Sequence, residues 1–89
     1  MNVEVIIVVS TPPVEKDFDS LRAAASKLTN NQKSITVRTT EEGERFSLIT
    51  NFPMKTTAQY KVVDNITSEF KFWTSELEGY QDMVISFSK

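Results

Sequence analysis

Hydrophobic residues are most concentrated at residues 2–9, which read NVEVIIVV and are followed by Ser10, Thr11 and two prolines. A short run of Val and Ile bounded by turn-forming residues is typical of a strand buried on both faces. The run is shorter than the apolar segment of a signal peptide, and Glu4 interrupts it. A membrane helix needs about 20 apolar residues, which no window of the chain contains. We therefore expect the central strand of a soluble, cytoplasmic protein.

Beyond the prolines, apolar residues recur at spacings of three and four, which predicts a helix with one buried face. Pro12 and Pro13 are expected in its first turn, because a missing N–H has no partner to lose there. Residues 29–31 (TNN) favour turns and are expected to end it. The apolar positions of this helix are Val14, Phe18, Leu21, Ala25 and Leu28.

Residues 34–40, 45–52 and 83–87 alternate between apolar and polar side chains, which predicts three further strands. Residues 41–44 (EEGE) are expected to form a hairpin loop, since Gly43 can adopt the positive φ that tight turns need. The apolar positions of these strands are Ile35, Val37, Phe46, Leu48, Phe52, Met83, Ile85 and Phe87.

A second helix is predicted over residues 56–78, with a capping box at residues 56–59 and Gly79 as its C-terminal cap. It would be roughly 33 Å long, whereas a seven-residue strand covers roughly 23 Å. The helix must then extend beyond the sheet or break near Asn65, where residues that favour caps are concentrated. Its apolar positions are Ala58, Val62, Ile66, Phe70, Trp73 and Leu77.

The element order is therefore β-α-β-β-α-β within 89 residues, which is enough for one domain. The arrangement known for this order is the ferredoxin-like split βαβ fold, an α+β sandwich. It has a four-stranded antiparallel sheet in the order 4-1-3-2, with two helices on one face. This order puts the first strand inside the sheet and so explains its continuous apolar character. We predict a single ferredoxin-like domain over residues 1–89.

Composition excludes several kinds of chemistry. The chain has no Cys and no His, so thiolate nucleophiles, zinc–thiolate sites and the commonest general base are absent. Two glycines cannot build a phosphate-binding loop. The net charge of −2 provides no long-range field to attract nucleic acid. We expect a non-catalytic protein without a metal, a cofactor, nucleic acid or a membrane as partner.

The sheet face opposite the helices is the main candidate for a binding surface. Both alternating sets of the first strand are apolar, so the sequence does not decide which set faces the helices. If its odd-numbered residues face them, an aliphatic surface with a hydroxyl-rich rim remains open, which suits a homodimer or another protein. The alternative is that a loop covers it. The predicted interface residues are Ile6, Val8, Thr36, Arg38, Ile49, Asn51, Val84 and Ser86.

A second candidate is a small-anion site at the start of the second helix, where free N–H groups and the helix dipole favour negative charge. We expect Ser10 and Thr11 to approach it from the loop before the first helix. The alternative is ordinary helix capping. Acylphosphatases share this architecture, but Ser10-Thr11-Pro12 does not match their arginine-bearing loop. The predicted anion-binding residues are Asn51, Lys55, Thr56 and Thr57.

The leading functional hypothesis is a protein-interaction module that self-associates or binds a protein through the open sheet face. Two other kinds of protein have the same order of strands and helices, although no sequence motif links this chain to either of them. One is a cofactor-independent enzyme of the dimeric α/β-barrel type, as in the antibiotic-biosynthesis monooxygenases. The other is a regulatory domain for a small anion or amino acid, as in ACT-type modules. A further hypothesis is a small inhibitor or immunity-type protein.

Overall fold

The computed structural model describes residues 2–29, 31–54, 59–75 and 77–88, and it describes the backbone alone at 59–62, 72 and 73. Four strands and two helices follow the predicted order, with a short 3₁₀ turn at Gln32–Ser34 before the second strand. The elements are β1 Asn2–Val9, α1 Glu15–Ser26, β2 Thr36–Glu42, β3 Arg45–Pro53, α2 Gln59–Thr74 and β4 Tyr80–Ser88.

The four strands form one antiparallel sheet in the order β2-β3-β1-β4. This is the predicted 4-1-3-2 order, so the ferredoxin-like α+β fold is confirmed. β1 pairs with β3 on one side and with β4 on the other, and its backbone groups are therefore satisfied on both edges. Its interior position agrees with the apolar run from which it was predicted.

The structure decides which set of β1 side chains faces the helices. The odd-numbered residues Val3, Val5, Ile7 and Val9 are at most 1% exposed. The even-numbered residues point to the other face, because successive side chains of a strand alternate. Asn2 and Glu4 belong to this second set, so the set with two polar members is the one turned away from the helices.

The core lies between the sheet and the two helices. α1 contributes Leu21 and Ala25, and α2 contributes Ile66 and Phe70, all of them fully buried. The ring of Phe70 stacks on Phe52 of β3, with centroids 6.5 Å apart and planes 7° apart. Phe46 of β3 and three residues of β4 are partly buried and pack against the same cluster; the β4 residues are Met83, Ile85 and Phe87.

Helix α1 begins later than predicted. Val14 is its N-cap residue, so Pro12 and Pro13 precede the helix instead of occupying its first turn. The Asp17 carboxylate accepts a hydrogen bond from the Val14 N–H at 3.0 Å, which satisfies a donor next to the helix start. At the other end α1 stops at Ser26, yet Leu28 still packs against the core.

Helix α2 is continuous through residues 64–68, so the break predicted near Asn65 does not occur. It also ends at Thr74, four residues short of the predicted end. Its 16 residues span about 24 Å, close to the length of the strands beneath it. The predicted extension beyond the sheet is therefore wrong as well. The predicted capping box begins at residues 56–58, which lie outside the described residues.

Both glycines have a positive φ, but neither caps α2. Gly79 has φ 81° and follows the end of α2 by five residues, so its predicted role as the helix cap is wrong. Gly43 has φ 63° and lies in the β2–β3 hairpin. Glu42 pairs with Arg45, so the loop is only Gly43 and Glu44, shorter than the predicted residues 41–44. A positive φ at the first loop residue alone is typical of a type II′ turn.

Neither helix in the described part of the chain is long and apolar enough to cross a membrane.

Candidate protein-interaction face

The open face is the side of the sheet that points away from α1 and α2. In antiparallel strands, directly paired residues project to the same face, so the register gives the arrangement of its side chains. Its central row runs across all four strands, from Arg38 through Ile49 and Ile6 to Val84. Three aliphatic side chains are therefore adjacent on neighbouring strands.

The row towards the hairpin end adds one more aliphatic residue, Val8, between Ser47 of β3 and Asp82 of β4. We call Ile6, Val8, Ile49 and Val84 the aliphatic strip. It occupies the middle of the open face, and Thr40 on β2 lies at its side. Branched aliphatic side chains on a pleated surface are what a second packed layer ordinarily covers.

The row towards the other end of the sheet is polar. Glu4 of β1 pairs with Asn51 of β3 and with Ser86 of β4, and Asn51 pairs in turn with Thr36. The predicted interface residues are thus brought onto one face of the sheet. Glu4 is half-buried at the centre of this row, where a carboxylate is enclosed by neighbouring strands on both sides.

Exposure varies strongly along the aliphatic strip. Val84 is 45% exposed, whereas Ile49 is only 7% exposed although it points away from the helices and lies outside the core cluster. Its neighbours in the row, Arg38 and Ile6, flank it on both sides. Val84 is therefore the position where a substitution changes the surface with the least effect on folding.

Opposite charges lie on opposite edges of the open face. Arg38 is on β2, and Asp82 is on β4, three strands away. Asp82 is exposed, and its carboxylate accepts a hydrogen bond from the Met83 N–H at 2.8 Å. Asp82 is not among the predicted interface residues, because the last strand was predicted to begin at Met83. The longer alternation from Asp82 to Phe87 could have indicated it.

A shallow depression of about 360 Å³ continues the open face at the hairpin end. Val8, Glu42, Arg45 and Ser47 line it. Glu42 and Arg45 are directly paired next to the two-residue turn. The depression therefore extends the aliphatic strip with a pair of opposite charges.

The predicted anion site does not assemble as expected. Val9 pairs with Phe46, whereas Asn2 pairs with Pro53, so β1 and β3 end at opposite ends of the sheet. Ser10 and Thr11 therefore cannot approach Asn51, which lies near the other end of β1. Asn51 belongs to the open face, and Lys55, Thr56 and Thr57 lie outside the described residues.

Ser10 and Thr11 instead contact the segment that leads into β4. The Ser10 N–H donates to the Gly79 carbonyl at 2.9 Å. A cavity of about 250 Å³ lies beside this contact, and the two acidic residues in its lining, Asp17 and Glu78, disfavour an anion there. Its lining residues are Val9, Thr11, Pro12, Val14, Asp17, Leu77 and Glu78.

Acidic side chains do not gather into a metal site in the part of the chain that the structure describes. These residues contain no group of three or more Asp and Glu side chains that could hold an ion. The three glutamates near the hairpin thus form no such group.

Comparisons with known proteins bear on the fold alone. No family model matches the chain, and no curated protein matches it. Among solved structures, the chain is similar to a protein described as "De novo designed protein Ferredog-Diesel". The two are 14% identical, with a TM-score of 0.53, over 98% of this chain and 85% of the designed one. At this identity the similarity supports a shared ferredoxin-like fold and says nothing about activity.

Proposed function

We propose that this chain is a non-catalytic protein-interaction module that self-associates through the open face of its sheet. The observation that carries the proposal is the aliphatic strip, which lies in the middle of a sheet face that no described helix covers. Contiguous apolar surface with a polar rim is characteristic of interaction sites.

The side chains around the aliphatic strip support binding more than chemistry. Thr36, Thr40, Ser47 and Ser86 surround it with hydroxyl groups, which can hydrogen-bond to a partner without a large desolvation cost. Glu42 and Arg45 are the only directly paired charged side chains among the described residues of this face, and because an arginine stays protonated they provide no pair for acid–base catalysis.

A cytoplasmic location belongs to the same proposal. It is supported by the position of residues 3–9, the most apolar run of the chain, inside the folded sheet.

Replacement of Val84 by Glu tests the proposal directly. We expect the wild type to form dimers and Val84→Glu to be monomeric, because association would desolvate two new carboxylates without partners. Light scattering after size-exclusion chromatography, over a range of concentrations, measures both masses. Val84 is 45% exposed, so the variant is expected to fold, which circular dichroism checks.

Val14→Glu is the matched control. Val14 is 57% exposed and lies at the start of α1, away from the open face, so this variant is expected to remain dimeric. A wild type that stays monomeric at all concentrations contradicts self-association. Equal dissociation of the two variants shows a general effect of added charge, and it contradicts the assignment to the open face.

A further inference from the structure

We propose that the second copy docks on the open face with the two-fold axis parallel to the strands, so that Arg38 of each copy lies beside Asp82 of the other. This inference rests on the proposed function, self-association through that face, and adds the orientation of the partner. Most homodimers have a two-fold axis, and the same patch of both copies then forms the interface.

The placement of the two charges carries the proposal. Neighbouring strands are about 4.8 Å apart, and Asp82 lies about 7 Å along β4 from the row of Arg38, so the backbones of these two residues are about 16 Å apart in one copy. A direct ion pair within one chain is therefore out of reach. A two-fold axis parallel to the strands lays β2 of one copy over β4 of the other and brings the opposite charges together.

The register brings these two side chains within contact distance. Arg38 and Val84 lie in the same row of the sheet, so Arg38 faces Val84 of the second copy. Asp82 follows two residues along β4, a distance of about 7 Å. The long side chain of an arginine covers that distance, and its apolar stem packs along the valine.

The position of Glu4 favours this axis over a two-fold axis perpendicular to the strands. With the axis parallel to the strands, β1 lies over β3, and Glu4 faces Asn51 of the second copy, whose amide can donate to the carboxylate. An axis perpendicular to the strands through the central row instead sets Glu4 against Val8 of the second copy. A buried carboxylate against an aliphatic side chain is strongly unfavourable.

The two isoleucines of the aliphatic strip are also self-complementary about the parallel axis. Ile6 and Ile49 are paired neighbours in the central row, so Ile6 of each copy faces Ile49 of the other. The two contacts repeat by symmetry and form a continuous apolar centre. The Arg38–Asp82 contacts then lie at its two sides, in the polar rim expected of an interface.

A charge-reversal pair tests the orientation. Arg38→Glu and Asp82→Arg each place like charges beside one another twice per dimer, so each variant alone is expected to dimerise about tenfold more weakly than the wild type. A mixture of the two variants restores opposite charges at both contacts. We expect heterodimers at close to wild-type affinity, and native mass spectrometry separates them from homodimers by mass.

Lys16→Glu is the matched control, since it makes the same charge change at an exposed position of α1. It is expected to leave dimerisation unchanged. A second check is the double variant carrying both Arg38→Glu and Asp82→Arg in one chain. Its homodimers contain two restored contacts and are expected to regain the wild-type affinity.

The outcomes separate this inference from the proposed function. If Val84→Glu dissociates the dimer but the mixture of charge variants shows no rescue, the face is correct and the orientation is wrong. An effect of Asp82→Arg without any effect of Arg38→Glu contradicts the proposal and indicates edge-to-edge pairing through β4. A monomeric wild type overturns both statements.

Discussion

Thr50 has unfavourable surroundings for a polar side chain. It lies on the core side of β3, paired with Val5 and Val37, and is fully buried. Its hydroxyl finds no hydrogen-bond partner among the described residues. A buried polar group without a partner costs free energy, because the bond to water is lost and none replaces it.

We expect Thr50→Val to raise the free energy of unfolding by about 1 kcal/mol, since valine has nearly the same shape and no hydroxyl to desolvate. Urea unfolding followed by circular dichroism measures the change. Thr29→Val is the matched control: Thr29 is also buried, but its hydroxyl accepts from the Asn31 N–H at 3.2 Å. That variant is expected to be less stable, and a loss of stability in both contradicts this account of Thr50.

At the same scale, the sequence pattern correctly predicted which side chains of β3 face the core. For β1 it did not decide between the two alternating sets. Phe46, Leu48 and Phe52 share one phase, and the structure puts them on the helix side. In β1 both phases contain Val and Ile, so hydrophobicity alone does not separate them. Asn2 and Glu4 both belong to the even phase, and they were the available signal that it faces away from the core.

The two glycines join the secondary-structure elements in different ways. At Gly79 a Cβ would lie 2.5 Å from the Thr11 hydroxyl oxygen and 2.9 Å from that of Ser10, in addition to the positive φ. At Gly43 the φ is also positive, but a Cβ would meet no atom within 4 Å. Gly79 holds the start of β4 against the loop after β1, whereas Gly43 only forms a turn.

We expect Gly43→Ala to lower the free energy of unfolding by about 1 kcal/mol, the cost of a left-handed conformation for alanine. Gly79→Ala is expected to cost about 3 kcal/mol, because the same strain is joined by a steric overlap with Ser10 and Thr11. Thermal and urea unfolding of the two variants give the comparison. Equal losses at both positions contradict the close packing described at Gly79.

Element ends were predicted less well than element types, and the reasons are physical. Leu77 continues the apolar stripe of α2 and still packs on the core, so its spacing predicted three more residues of helix. The chain leaves the helix after Thr74 and reaches the same cluster from a turn. Burial requires a side chain to reach the core, and it does not require the backbone to be helical.

The error over the anion site came from strand direction. In the predicted strand order, β1 and β3 are antiparallel neighbours, so the loops that follow them belong to opposite ends of the sheet. The expected approach of Ser10 and Thr11 to Asn51 was therefore inconsistent with the predicted fold itself. The register of the strands, in contrast, pairs Asn51 with Glu4 and with Thr36, so all three residues lie on the open face.

At the scale of the assembly, the carboxylate of Glu4 becomes the most costly group to bury. In the proposed dimer Glu4 faces Asn51 of the second copy, and both copies lose water from this carboxylate. We expect Glu4→Gln to tighten dimerisation several-fold, because glutamine keeps the hydrogen bond to Asn51 and removes the charge. Sedimentation equilibrium measures the dissociation constants; an unchanged constant means that Glu4 stays in contact with water in the dimer.

The sheet is completed by the first and last strands of the chain, with Asn2 beside Ser88. During synthesis β1 leaves the ribosome before the other three strands, yet one of its edges stays unpaired until β4 has emerged. Contacts between residues so distant in sequence form slowly, because a large loop must close before they add stability. Until then the most apolar strand presents an unsatisfied edge, which is where misassociation with other nascent chains would start. Pairing of β4 with β1 therefore also protects the chain as it folds, because it removes this unsatisfied edge.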